Sequence, residues 1–136
     1  MNVSLVTAVT PELQSLWDHA HRDVLNKRGG PALIETLCGA TPEEELLNNV
    51  VASSSLWRVD VDGTLRAFGL CRAGVVEAIY VEHGFRRQKI ATTLVRVLLS
   101  GDSAPVDAYA LPGDRAMKSL YESLGWKARL LTMRGA

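Results

Sequence analysis

Residues 56–82, LWRVDVDGTLRAFGLCRAGVVEAIYVE, leave the chain the least freedom. Trp57, Val59 and Val61 alternate onto one face of a strand over 56–62. Asp62-Gly63 then supplies the residue pair that tight hairpin turns favour, because both positions can take positive φ. A second strand covers 64–72, Ala73-Gly74 turns the chain again, and a third strand covers 75–82. The period then changes. Ile90, Leu94, Val97 and Leu98 recur at helical spacing, which predicts a helix from Arg86 to about Ser100. PVDAYAL at 105–111 is again strand-like. A strand-helix-strand unit beside hairpins predicts an α/β fold of α+β type, a mixed central β-sheet flanked by helices on both faces.

The flanking segments fit that plan. Residues 3–9 alternate loosely as a first strand. Thr10 is placed to cap a helix with Pro11 in its first turn and Leu13, Leu16, Trp17, Ala20 and Val24 as its apolar stripe. Gly29-Gly30 ends that helix, a short one follows Pro31, and Thr41-Pro42-Glu43-Glu44 reads as a capping box opening a third. Near the other end, Pro112-Gly113-Asp114 opens a helix whose inner stripe is Met117, Leu120, Tyr121 and Leu124, with Gly125 as its stop. KARLLTM at 127–133 predicts a last strand. At 136 residues, with no repeat or linker, residues 1–136 are expected to form a single domain.

Charge is distributed less evenly than its total suggests. Fifteen basic residues balance fifteen acidic ones, so no global field recruits nucleic acid or an anionic membrane. Yet Arg86, Arg87 and Lys89 crowd the start of a predicted helix, where the macrodipole is already positive. The arrangement is unfavourable unless an anion, such as a phosphate, sits there. The alternative is a solvated basic face. Cys38 and Cys71 form no CxxC pattern, and the three histidines (His19, His21, His83) join no metal-ligand spacing, so reduced thiols, no metal and a cytoplasmic protein are expected. The N-terminal MNVSLVTAVTPEL carries no secretory pattern and no run is long enough to span a membrane.

Two segments carry a family resemblance. YVEHGFRRQKIATTLV (80–95) resembles the pyrophosphate loop of the GNAT superfamily of acyl-CoA-dependent N-acetyltransferases, Arg/Gln-x-x-Gly-x-Gly/Ala after a strand. GDRAMKSLYESLGW (113–126) resembles that superfamily's later helix, with its tyrosine and Leu-Gly-aromatic end. The order of elements matches over nearly the whole chain. Lys89 stands where the loop pattern has glycine, and Asp114 where the family often has asparagine.

The resemblance implies acetyl transfer from acetyl-CoA to a primary amine, on a small molecule or a peptide. It implies that the amides of Arg87, Gln88, Lys89, Ile90 and Ala91 cradle the pyrophosphate, with Arg86, Arg87 or Lys89 adding charge and Asp114 nearby. Free backbone groups on the strand through Ile79, Tyr80 and Val81 would pair with the pantetheine arm. Tyr121 matches the family's proton donor to the departing thiolate, though its place on an apolar stripe also suits a core tyrosine. Glu77 is the implied base, or else an ion-paired strand residue. Asp107 and Tyr109 are alternatives, and Glu82 and His83 lie at the loop entrance. One strand follows the last helix where the family often has two, so the acceptor side is either abbreviated or completed by a partner subunit in a homodimer. A non-catalytic acyl-CoA-binding or protein-interaction module on the same fold is the alternative function.

Overall fold

The computed structural model describes residues 1–135. Five strands form one sheet in the order β1 (Asn2–Leu5), β2 (Leu56–Val61), β3 (Thr64–Arg72), β4 (Val75–Val81) and β5 (Asp107–Ala108). The first four are antiparallel, and β5 joins β4 in parallel, which makes the sheet mixed as expected. Both hairpin turns have positive φ at their two central residues, 51° and 79° at Asp62-Gly63 and 50° and 78° at Ala73-Gly74. That is the backbone twist that continues the twist of the flanking strands.

Three helices lie on one face: α1 (Pro11–Leu25), α2 (Gly30–Cys38) and α3 (Leu46–Ala52). Leu13, Leu16, Leu37, Leu47 and Val50 from these helices bury against Phe68 and Leu70 of β3. The other face carries α4 (Ile90–Leu99) and α5 (Arg115–Ser123), whose Ile90, Leu94, Val95 and Tyr121 pack with Val59, Ala67 and Val76. Trp57, Val59 and Val61 all turn to this second face, as their alternation predicts. Gly69 allows α4 to seat closely, since a Cβ there would meet Leu94 Cδ2 at 2.7 Å.

Thr10 caps α1, its hydroxyl accepting from the Leu13 amide at 3.2 Å. Several boundaries differ from the sequence expectations. Gly29 does not simply end α1, which stops at Leu25 and is capped by Asn26; it is the residue from which α2 starts. Thr41-Pro42-Glu43-Glu44 forms no capping box: a single 3₁₀ turn over Glu43–Glu45 leads into α3 without a side-chain cap. The strand expected over 105–111 pairs only at Asp107–Ala108. The strand expected over 127–133 does not form: Leu130, Leu131 and Met133 are 88%, 66% and 79% exposed and join no ladder.

Candidate active site

The site is built where β4 and β5 part. Their pairing covers only Val75↔Asp107 and Val76↔Ala108, and it closes with the Tyr109 amide donating to the Val76 carbonyl at 2.9 Å. Beyond that point, the β5 side of β4 has no strand partner among the described residues. Which backbone groups face this opening is set by a bulge. Leu70 pairs with Ala78 but Cys71 with Val76, so Glu77 is an extra residue in β4. One extra residue reverses the parity of everything after it. The Glu82 amide donates to the Arg66 carbonyl at 2.8 Å, toward β3. Counting back by twos, Tyr80 and Ala78 also bond toward β3, while Ile79 and Val81 direct their N–H and C=O groups into the opening. Without the bulge, those two would face their neighbour.

The loop that follows explains its own charge. A 3₁₀ turn over His83–Phe85 leads to Arg86, and α4 begins only at Ile90, four residues later than its periodicity suggests. Two residues in left-handed conformation cause the delay: Arg87 at φ 66° and Lys89 at φ 61°. Lys89 is also the N-cap of α4, at ψ 21°, and its side chain accepts no hydrogen bond, so the first amides of the helix stay uncapped. Left-handed residues followed by free helix amides form the concave array of N–H groups that suits an anion. Arg87, Gln88 and Lys89 are exposed around it, and neither Arg87 nor Lys89 joins an ion pair among the described residues.

Arg86 is engaged instead. Its Nε donates to the Val81 carbonyl at 3.0 Å, its Nη2 reaches Asp23 of α1 at 3.2 Å, and its guanidinium lies 5.4 Å from the Tyr80 ring centre. One of the backbone acceptors in the opening is therefore covered by the chain itself. Burial pushes the Tyr80 phenol up, helped by Asp23 and opposed by Arg86. The far side of the opening is tied to the turn after α1: Lys27 Nζ is 3.5 Å from Asp114, whose carboxylate also accepts the Met117 amide at 3.1 Å and so caps α5.

Comparison with known proteins bears on this geometry. No family model matches the sequence, and neither does any curated protein. Solved structures do match. An aminoglycoside N-acetyltransferase, AAC(6')-Iy, in complex with CoA aligns with a TM-score of 0.58 at 12% identity, over 99% of each chain. The ribosomal-protein-alanine N-acetyltransferase of Brucella melitensis gives 0.58 at 19% identity, over 99% of this chain and all of the other. The PaiA N-acetyltransferase of Thermoplasma acidophilum, in complex with coenzyme A, gives 0.59 at 17% identity, over 95% and 92%. This chain has the GNAT fold.

On the GNAT frame the two residues expected to do chemistry stand in different surroundings. Tyr121 is 7% exposed, stacked on Trp126 with ring centres 5.6 Å apart, within the α4–α5 cluster that also includes Ile79 and Val81. Burial first, then Asp114 and Cys71, holds its phenol far above the usual tyrosine range. It therefore stays protonated at any physiological pH, a hydrogen-bond donor rather than a matched proton source for a thiolate. Glu77, the bulge residue, is 8% exposed and ion-paired with Arg72, the second of the two readings its sequence allows. Arg72 bonds both of its oxygens and also donates to the Leu37 carbonyl at 2.7 Å, tying β3 and β4 to α2.

Among the alternatives, Asp107 pairs with Arg129 at 3.1 Å, Tyr109 is exposed, and Glu82 pairs with Arg66 at 2.7 Å. No cluster of described residues has the makeup of a metal site, and no described helix is long and apolar enough to cross a membrane. Sequence reading missed Asp23 of α1 and Lys27 of the turn after it, which link this end of the helix to both sides of the opening. A single acid and a single base near a helix end are too common to be singled out.

Proposed function

We propose that this chain is an acetyl-CoA-dependent N-acetyltransferase acting on a primary amine. The observation that carries the reading is the run from opening to loop: backbone without a strand partner at Ile79 and Val81 leads directly into left-handed Arg87 and Lys89 and the uncapped start of α4. An amide-bearing arm ending in a pyrophosphate has the complementary chemistry, strand-like at one end and doubly anionic at the other. Two of the structural neighbours were solved with coenzyme A, which supports the same ligand here.

In this reading Ile79 and Val81 bind the pantetheine arm, Arg86 giving up the Val81 carbonyl as the arm enters. The amides from Gln88 to Ala91 hold the pyrophosphate while Arg87 and Lys89 neutralise it. A free amide of the 79–81 stretch polarises the thioester carbonyl, in place before the reaction begins. Tyr121 donates a hydrogen bond to the sulfur as it leaves. Glu77 serves the fold through Arg72, tying β3 and β4 to α2, and no dedicated base is assigned. An exposed amine reaches its neutral form in water, and proximity in the ternary complex supplies much of the rate. Free thiols at Cys38 and Cys71 support a cytoplasmic setting for such an enzyme.

The committed state of Glu77 and the raised phenol of Tyr121 favour one other reading, a module that binds acyl-CoA without turning it over. Both readings require acetyl-CoA to stabilise the fold, by about 2.7 kcal/mol at a hundredfold excess over its dissociation constant. Release of free CoA thiol across an amine panel separates them. No thermal shift at millimolar acetyl-CoA would refute both.

A further inference from the structure

A cavity of about 320 Å³, open to solvent on one side, lies on the opposite face of the sheet from α4, lined by α1, α2 and the 43–47 segment. Trp17, Ile34 and Leu47 wall it, and the sheet contributes Phe68 and Ala78. Trp17 stacks on Phe68 with ring centres 5.3 Å apart. Its polar lining is Gln14, Asp18, His21, Glu43 and Glu44, with His21 bound to Glu43. Among the described residues, no lysine or arginine lines it.

Two facts connect this cavity to the site. Ala78 is the residue before Ile79, whose backbone faces the opening, so the cavity reaches β4 one residue away from the opening. Alanine at 78 also keeps that end unobstructed by a larger side chain. We propose that this cavity is the acceptor pocket, and that it selects primary amines carrying a compact apolar body, alkylamines or arylalkylamines, over polar amines. The inference rests on the transferase reading.

The size argues for a small body. Pockets for small ligands run from roughly 300 to 1,000 Å³, so this one sits at the low end and admits a short alkyl chain or a single ring, not a peptide segment. The charge argues for an amine. Asp18, Glu43 and Glu44 present carboxylates at the polar part of the lining in a protein whose net charge is zero, so the attraction for a cation is local. An alkylammonium is drawn in as a cation, loses its proton to water, and its neutral nitrogen attacks the thioester carbonyl carbon. The C–N bond forms, the nitrogen gives up a second proton to water, the C–S bond breaks, and the thiolate takes up a proton from water, leaving amide and free thiol.

The test is a series from ethylamine through butylamine to hexylamine, with phenethylamine and ethanolamine, acetyl-CoA being the donor. If the apolar body is buried, kcat/KM rises by about fourfold per added methylene until the cavity is full, and ethanolamine falls on the low end. Ile34→Trp fills the cavity from a half-buried position and should remove that rise, with melting temperature and acetyl-CoA affinity as checks on the fold. Quenching of Trp17 fluorescence by hexylamine, taken as the difference from Trp17→Phe, reports occupancy without turnover. Thiol release that is equal across the series, or a rise that survives Ile34→Trp, overturns the pocket while leaving the transferase reading intact. Trp17 quenching that Ile34→Trp abolishes, with no thiol released by any amine, keeps an amine pocket and overturns the transferase reading.

Discussion

Replacing Lys89 by glycine should move stability and cofactor affinity in opposite directions. Lys89 holds φ 61° and ψ 21° at the start of α4. For a residue with a Cβ, the left-handed region costs roughly 1–2 kcal/mol. Glycine removes that strain but adds unfolded-state freedom worth about 0.5–1 kcal/mol. Removing a cation from the positive end of a helix dipole returns about 0.3 kcal/mol at an exposed site. The sum is a gain of about 1 kcal/mol, or about 4 °C in melting temperature for a domain of this size. If the Lys89 ammonium meets phosphate, the same change forfeits a charge-assisted contact, and CoA should bind about tenfold more weakly while pantetheine is unaffected. Ala73→Gly is the control: it relieves the same strain at φ 50° in the β3–β4 turn and should raise stability without touching affinity. Thermal melts and calorimetric titration with CoA and pantetheine read both quantities. Equal weakening of CoA and pantetheine, or a Lys89→Gly protein less stable than its parent, would refute the reasoning.

Tyr121→Phe should lower turnover by about tenfold to a hundredfold, the worth of one hydrogen bond to a departing charged sulfur, while acetyl-CoA affinity holds; unchanged turnover removes Tyr121 from the mechanism. The same residue predicts alkaline sensitivity. Its folded pKa lies above the unfolded value near 10, so its contribution is complete below about pH 10. As pH rises toward the folded value, stability should fall by about 1.4 kcal/mol per pH unit, a slope that denaturant melts should find reduced in Tyr121→Phe. Glu77→Gln leaves Arg72 without its charge partner, and stability should drop by about 3 kcal/mol with turnover per folded molecule retained; lost turnover in a fully folded variant would restore Glu77 as the base.

The meander was legible because its signals are local: alternation fixes a strand's faces, and Asp62-Gly63 and Ala73-Gly74 allow few other conformations. The anion loop was legible by its charge but not by its shape. Arginine, glutamine and lysine are good helix formers, so the sequence extends α4 back to Arg86, whereas two left-handed residues hold its start at Ile90. Residues 127–133 have strand-like composition, yet strands need an edge to pair with, and β5 offers only two paired residues. The engagements of Glu77 by Arg72 and of Arg86 by Asp23 depend on residues 5 and 63 positions away, and the latter distance carries no periodic signal. The bulge at Glu77 is in the same class. Nothing in VVEAIYV announces an extra residue, although it decides which carbonyls the opening receives.

The stretch of β4 left without a partner has a consequence for handling the protein. A bare strand edge is a template on which any extended chain can add itself, including another copy of this one. Here the vulnerable length is short, and Arg86 already plugs the Val81 carbonyl, which leaves Ile79 as the readiest point of attachment. Whatever occupies that edge would also act as a guard against clumping. Preparations should be most prone to precipitate when ligand-free and at high salt, where the exposed Arg86–Asp23 pair weakens and the plug loosens.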